Sequence, residues 1–395
     1  MLNERSERAE GLTHGAWFIV VAGALTCIGL MIVASGSASL QRPLLGSEFL
    51  KTTFGRQCVF VAAGTGVMML TAKAVGPWLL ASRDRLRAAA WIGVVAAVVS
   101  LVSVKIFGDV TRGSQRWLKF SLGGFDIGFQ PSELAKPVLI GFLALFLTRD
   151  GVDARSLRKT FIPVLGMIFC GGLLIGLEDL GTAALTCLVA CLMVWIGGCS
   201  YRHLIALGVV SVLGLAALIW FEPYRMDRLW AHQNLWNDPQ GKGYQGVQSL
   251  LTLGSGGWWG RGLGAGVQKY GYLPESRTDF VFAVLCEELG FVGGAVVVAL
   301  FIAFIWLGVG AMRTARTGVE TLLAFGLTAL IGFQALINIA VVTVWIPTTG
   351  IPLPFISAGG SNYLVFSAMV GMLAAIGTRS AMNEVAVPNE ISEES

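Results

Sequence analysis

Long runs without a charged residue alternate with short polar segments along this chain, and the runs have the length of membrane-crossing helices. A hydrocarbon core takes about 20 apolar residues per helix, with about 17–25 the usual range. On that measure ten helices are predicted, over about 15–38, 57–75, 87–107, 134–148, 160–177, 181–198, 203–221, 279–311, 319–345 and 361–378. The fourth is short, and Lys136 near its start has to snorkel toward the interface. The stretch from Thr321 to Thr378 has no charge and is too long for one helix; Pro347, Pro352 and Pro354 divide it. The predicted fold class is therefore all-α, a polytopic integral membrane protein with about ten transmembrane helices and one large extracytoplasmic loop.

The pattern gives one membrane domain over 15–378, an N-terminal tail over 1–14, a C-terminal tail over 379–395 and a loop over 222–278. The first helix reads as uncleaved, because its apolar part is long and Glu4, Glu7 and Glu10 precede it. An even number of helices places both termini on one side. Basic residues are about equal in number on the two sides but denser on the side of the termini, which favours termini inside. Most of the outer basic residues fall in two segments, Lys105–Lys136 and Arg225–Arg277, a concentration that points to a ligand. The aromatics of the long loop (Trp230, Trp236, Trp258, Trp259, Tyr270 and Tyr272) predict that it packs on the membrane surface. The tail after Arg379 has acids and no base and reads as disordered.

Composition narrows the class further. Of 395 residues, 55% are apolar and 13% charged, against about 25% charged in a soluble domain. Mean hydropathy is +0.71. The net charge of +4 is small and dispersed, so no nucleic-acid footprint is present. The seven cysteines are odd in number and include no CxxC, which argues against a disulfide framework or a zinc site. The three histidines, His14, His203 and His232, have no ligand spacing.

Four segments hold polar residues that a plain membrane anchor does not need. In the first, Arg116 and Lys119 precede Gln130-Pro-Ser-Glu133-Leu-Ala-Lys136. Glu133 and Lys136 are three apart at a helix start and can pair, either as a self-neutralised entrance or as the wall of a phosphate site. The second is Glu178-Asp179-Leu-Gly-Thr182, where Asp179 suits an N-cap. The third runs from Gln248 through the glycines of 254–266 to Lys269, Tyr272-Leu-Pro-Glu275-Ser-Arg277-Thr278-Asp279-Phe280. Its GRGLGAG run has no preceding strand, which excludes a dinucleotide fingerprint. Asp279 opens a helix and is either its cap or a working acid. Glu287 and Glu288 follow about 12 Å along that helix, at about 1.5 Å per residue. Acids at such depth face a polar cavity or a cation. The fourth, Pro347 to Ser361, has three prolines and a Gly pair and cannot be regular helix; irregular backbone near membrane depth is tolerated where it lines a cavity.

In this order and spacing the four segments resemble the SEDS family (shape, elongation, division and sporulation proteins), from about Ala16 to Ala375. The specific signatures are Tyr272-Leu-Pro-Glu-Ser-Arg-Thr-Asp279-Phe with Glu287-Glu288-Leu-Gly290, and Gly350-Ile-Pro-Leu-Pro-Phe-Ile-Ser357. Gln268-Lys269 before Tyr272 resembles the division type. Three features depart from the family pattern: Leu177-Glu178 replace Gln-Pro, Ala358 replaces Tyr, and Asn362 replaces a Ser.

The resemblance implies a ten-helix enzyme of the bacterial cytoplasmic (inner) membrane that polymerises lipid II into peptidoglycan glycan strands. Its partners would be a class B penicillin-binding protein, which supplies the transpeptidase, and other division proteins at the septum. Asp279 matches the family's essential acid, as base or as positioner of the acceptor. Glycosyl transfer from a pyrophosphate needs one base and positive charge where the leaving anion develops. The expected lipid II and pyrophosphate contacts are Arg116, Lys119, Glu133, Lys136, Arg225, Arg228, Lys269, Glu275, Glu288 and Ser357. No cofactor is indicated; a divalent cation, magnesium or manganese, is compatible with the phosphate task, though no dedicated site is visible. The rival readings are a lipid II flippase, which predicts inverted repeats that are not evident here, an elongation- or sporulation-type polymerase, and a scaffold in which Asp279 is dispensable.

Overall fold

The computed structural model describes residues 14–38, 49, 52–111, 114–122, 125–151 and 153–386. Of the predicted tails 1–14 and 379–395, residues 1–13 and 387–395 lie outside the described residues. The helices are α1 (His14–Ala38), α2 (Thr53–Leu80, with a π turn at Thr71–Val75), α3 (Arg83–Phe107), α4 (Pro131–Leu147), α5 (Leu157–Gly176), α6 (Leu180–Ile196) and α7 (Tyr201–Trp220). After them come α8 (Pro223–Gln233), α9 (Tyr244–Ser255), α10 (Val281–Thr314), α11 (Gly318–Val342) and α12 (Ser361–Ala386).

Each of the ten predicted apolar stretches is a helix. Eight of them are long and apolar enough to cross a membrane, among the described residues. The other two, α4 and α6, are 17 residues each, at the lower edge of the spanning range. The last helix continues to Ala386, so residues 379–386 of the expected disordered tail are helical.

The arrangement is concentric. α11 and α12 are mostly buried, α10 packs on α1 and α11, and α12 packs on α1 and α2. α7 touches α6, α5 and α8 but has few buried residues along its length, as have α2 and α3. Such helices, apolar all round, suit lipid contact on their outer faces. At the end of the bundle away from Asp279, Arg83 pairs with Asp150 at 3.5 Å and Arg379 with Glu320 at 3.8 Å.

Two features escape the sequence pattern. A small antiparallel sheet, β1 (Asp109–Thr111), β2 (Ser114–Leu122) and β3 (Phe125–Phe129), joins α3 to α4. Its register pairs Leu118 with Phe129 and Lys119 with Gly128. Trp117 lies against Gly128, where an added Cβ would stand 3.1 Å from the indole. The expected surface loop 222–278 instead contains two helices, and α9 packs along α10.

The reason α9 can do so is a break in α10. Gly290 has φ 70° and ψ −170°, a conformation closed to other residues, which interrupts the helix ladder. The glycine loop fills the gap. Arg261 N and Gly262 N donate to the carbonyls of Glu287 and Glu288, at 2.9 and 3.0 Å. In return Phe291 N and Val292 N donate to Gly257 O and Trp258 O, at 2.9 and 3.2 Å. Gly260 has no room for a side chain, since a Cβ there would lie 2.2 Å from Glu288 O.

The acids themselves finish the loop. Glu287 accepts from Val267 N at 3.0 Å and Gln268 N at 3.3 Å. Glu288 accepts from Ser35 Oγ at 2.7 Å, Gly264 N at 3.2 Å and Lys269 Nζ at 2.6 Å. Both side chains of the Lys269–Glu288 pair are essentially inaccessible, 1% and 0% exposed. Removing one partner strands a buried charge, so Lys269→Met is expected to lower stability by roughly 3–5 kcal/mol, and Lys269→Met with Glu288→Gln by less than either single change. Denaturant unfolding in detergent measures this; strictly additive losses would refute the coupling.

Candidate active site

Asp279 lies in the turn before α10, and the helix starts at Val281 with Phe280 as its N-cap residue and no side-chain cap. The carboxylate is therefore not spent on capping. Its backbone is held from two sides. Asn338 Nδ2 donates to Asp279 O and to Ile351 O, both at 2.8 Å. Ser357 Oγ donates to Thr278 O at 2.6 Å and accepts from Leu353 N at 2.8 Å. The Pro-rich segment and α11 together fix where the carboxylate points.

It points into a cavity of about 400 Å³ lined by Arg116, Trp117, Lys119, Gln130, Asp179, Tyr224, Arg228, Glu275, Thr278, Asp279 and Gly350. Gly350, at φ 80°, keeps the space between two key groups open: a Cβ there would be 3.8 Å from Arg116 Nη1 and 3.8 Å from Asp279 Oδ2. Arg116 also approaches Asp179, with Nη1 to Oδ2 at 3.9 Å. Asp179 caps α6 as expected, through Thr182 N to Oδ1 at 3.2 Å, and its second oxygen faces the cavity. Arg228 donates to Thr348 O at 3.0 Å and to Tyr224 Oη.

The half-buried Asp279 carboxyl is pushed up to about 6. Burial is the main cause, followed by the neighbouring Glu275 and Asp179 carboxylates, with Arg228 and Arg116 pulling the other way. Glu178 is pushed up to about 7 by burial, and neither of its carboxyl oxygens has a hydrogen-bond partner among the described residues. It stands where the family pattern has proline.

Of the expected contacts, Arg116, Lys119, Arg228 and Glu275 line this cavity with Asp279. The others do not. Lys269 donates to Glu288, Ser35 Oγ and Gly264 O, which occupies all three of its N–H bonds. Glu288 is its buried counter-ion. Arg225 is turned away, donating to Leu218 O at 3.0 Å and Gly176 O at 2.9 Å and so tying α8 to the ends of α7 and α5. Lys136 lies 2.9 Å from Glu133, donates to Gln334 Oε1 at 2.8 Å, and both charged groups are buried. Gln334 in turn donates to Pro352 O at 3.0 Å. Glu133, Lys136 and Ser357 thus support the segment that holds Asp279 and do not line its cavity. Asp179, Trp117, Tyr224 and Thr278 are cavity residues not among the expected contacts; the adjacent acids Glu178-Asp179 were the one signal for the first of these. Among the described residues, no three His, Cys, Asp or Glu side chains gather as a metal site.

A second cavity, of about 410 Å³, shares Trp117, Glu275 and Thr278 with the first. Ala358 lies on its wall, where a tyrosine in the family pattern would project.

With this geometry in place, the comparisons with known proteins are decisive. The model of the cell cycle protein family of FtsW, RodA and SpoVE matches residues 16–382. The chain belongs to this family. Stage V sporulation protein E of Bacillus subtilis is 37% identical over 360 residues, covering 90% of this chain and 94% of the relative. The probable peptidoglycan glycosyltransferase FtsW of Geobacter sp. strain M18 is 35% identical over 369 residues, covering 91% and 96%. Among solved structures, the Thermus thermophilus rod shape determining protein RodA matches with TM-score 0.62 and 25% identity, over 91% of this chain and 95% of that one. A chain from a peptidoglycan synthase complex shares the fold with TM-score 0.72 at 24% identity, over 92% and 97%. The family resemblance of the four polar segments therefore holds, and the chain is a multi-pass membrane protein of that family.

The environment of Asp279 has a direct test. Isotope-edited infrared titration of the purified protein is expected to place its carboxyl ionisation near 6. Glu275→Gln should move it down, because a like charge is removed, and Arg228→Gln should move it up. An ionisation indifferent to both changes would contradict this electrostatic account.

Proposed function

We infer that this chain is a peptidoglycan glycosyltransferase that polymerises lipid II into glycan strands, on the outer face of the bacterial cytoplasmic membrane and with both termini in the cytoplasm. The observation that carries this reading is the Asp279 carboxylate, free of helix capping and aimed into a cavity that Arg116, Lys119 and Arg228 line together with Asp179 and Glu275. Relatives named probable peptidoglycan glycosyltransferase FtsW support the reaction class. A hydrolase cleaving a glycosidic bond wants two carboxylates straddling it. Transfer from a pyrophosphate wants a base and cations; Arg116, Lys119 and Arg228 supply the cations in the Asp279 cavity, and Asp179 is occupied in part by its capping bond and Glu275 in part by its bond from Thr278.

In the reaction, Asp279 takes the proton from the GlcNAc 4-hydroxyl of the acceptor. That oxygen attacks C1 of the donor MurNAc, with inversion. The bond from C1 to the pyrophosphate oxygen breaks, and undecaprenyl pyrophosphate leaves with the electron pair. Arg116 and Arg228 offer paired N–H bonds to the departing anion, and Lys119 a point charge. Burial, with the Glu275 and Asp179 carboxylates beside it, keeps Asp279 basic enough to accept a proton.

The role is septal wall synthesis in cell division, with a class B penicillin-binding protein as transpeptidase partner. Gln268-Lys269 favours the division type over the elongation type. The similarity to a peptidoglycan synthase complex described as coordinating polymerization and crosslinking supports the partnership.

Asp279→Asn is expected to abolish polymer formation from labelled lipid II while the protein still inserts and binds its partner; near wild-type polymer would remove the base assignment. For the wild-type protein the rate should rise with pH through about 6 and then level, since the base works only when deprotonated. Lipid II crossing the bilayer of proteoliposomes without polymer would support transport instead. A cysteine at Asn237 should react with an impermeant thiol reagent in intact spheroplasts; labelling only after permeabilisation would reverse the topology.

A further inference from the structure

The cavity beside the Asp279 site has a charge pattern of its own. Its cations are Arg56, in the first turn of α2, and Arg277. Among the described residues, Arg277 donates to uncharged acceptors only, Gly36 O at 2.9 Å and Thr53 Oγ1 at 3.3 Å. Burial holds its guanidinium below the ordinary value, and among the described residues no counter-charge offsets that burial. The Arg56 guanidinium has no hydrogen-bond or ion-pair partner among the described residues, although it is half-buried. Two guanidinium groups face one space, which Glu275 also lines, and no described carboxylate pairs with either guanidinium. An anion of matching geometry completes such a site.

The chemistry of polymerisation asks for that second site. Each coupling brings together two lipid-linked sugars, and each carries a pyrophosphate. The donor's pyrophosphate departs at the reacting carbon, so it belongs next to the base. The acceptor's pyrophosphate stays attached, one disaccharide away from the hydroxyl that gives up its proton. Arg116 stands next to Asp279 across the space that Gly350 leaves open. Arg56 and Arg277 stand beyond the wall of Trp117, Glu275 and Thr278. Thr278 Oγ1 donates to Glu275 Oε2 at 2.8 Å and holds that wall together.

We propose that the second cavity is the acceptor's subsite, in which Arg56 and Arg277 bind the pyrophosphate of a polyprenyl-linked sugar, while the Asp279 cavity takes the donor's. This rests on the polymerase reading above. The surroundings suit an amphiphile. Phe60 lines the same cavity one helical turn below Arg56. The outer face of α2 beneath it is largely exposed, which gives a prenyl chain an apolar path from the headgroup into lipid. Trp117 offers a flat face to a sugar ring passing between the two cavities. The absence of a tyrosine side chain at Ala358 leaves this space wider than the family pattern provides.

The test counts ligands independently of turnover. Native mass spectrometry of the full chain with undecaprenyl pyrophosphate is expected to find two bound lipids for the wild type and one for Arg56→Gln. Arg56→Lys, which keeps the charge, should retain both and should unfold at the wild-type temperature. Soluble pyrophosphate should displace neither lipid. In a coupling assay with a lipid-linked oligomer as donor and lipid II as acceptor, Arg56→Gln should raise KM for lipid II roughly tenfold and leave that for the donor within about twofold, the size expected for one charge-assisted contact. A single lipid bound to an active wild-type protein overturns the second subsite and leaves the polymerase reading standing. So does a raised donor KM in Arg56→Gln. Displacement of one lipid by soluble pyrophosphate would make the cavity a general anion pocket and overturn the lipid assignment. A wild-type protein that makes no polymer overturns the reading of the Asp279 site, and this inference with it.

Discussion

The site depends on one requirement: the irregular backbone from Pro347 to Gly360 must satisfy its polar groups inside the protein. Prolines forbid a helix there, so the buried N–H and C=O groups of the segment need partners from elsewhere in the protein. Side chains from distant helices take that role. Arg228 donates to Thr348 O, Asn338 to Ile351 O and Gln334 to Pro352 O. Gln57 accepts from Gly359 N, and Ala358 N donates to Arg277 O. Several of these bonds also hold the turn that carries Asp279, through Asn338 and Ser357. Satisfying the segment and aiming the carboxylate are therefore one act of packing.

The buried ion pair of Glu133 and Lys136 belongs to the same framework. Lys136 reaches Gln334, and Gln334 reaches Pro352 O, so a charge in α4 is linked to the cavity wall by two hydrogen bonds. A buried pair of this kind adds little net stability over apolar packing, but it tolerates few alternative arrangements. The pair of Lys269 and Glu288 does the same for the glycine loop. There the break at Gly290 frees backbone groups of α10, and the loop, its two acids and one lysine satisfy them. Both ion pairs place charge where it orders backbone, leaving a different set of cations to face the cavities.

That division explains the electrostatics around Asp279. Acids and cations are both few, and they are arranged in opposition. Burial first, then Glu275 and Asp179, raise the affinity of Asp279 for a proton, while Arg228 and Arg116 restrain the rise. A carboxylate with a raised affinity is a better proton acceptor near neutral pH than an ordinary one, and cations at the same cavity stabilise a departing anion. The two effects would cancel if every basic residue of the outer segments faced this space.

Much was legible in the sequence. The ten apolar stretches became helices because a charge-free run of that length has no cheaper place than lipid or a helical core. The four polar segments stood out for the same reason, since polar residues in so apolar a chain need a purpose, and Asp279, Arg116, Lys119, Arg228 and Glu275 do meet in one cavity. The helices of the 222–278 loop and the strands beside Arg116 were not legible, because short elements with mixed polarity leave a weak periodic signal. Nor was the sorting of the cations. Lys269 and Arg277 lie in one loop and carry the same charge, yet Lys269 is enclosed by Ser35 and Glu288, whereas Arg277 opens onto a cavity. The role of a charge is set by what lies within a few ångströms of it. Here those neighbours come from segments more than two hundred residues away, as Ser35 does for Lys269 at a separation of 234. Composition and spacing determined that this chain is a membrane protein with its charges gathered in a few polar segments; only the packing of distant helices decided which of those charges serve the fold and which face a cavity.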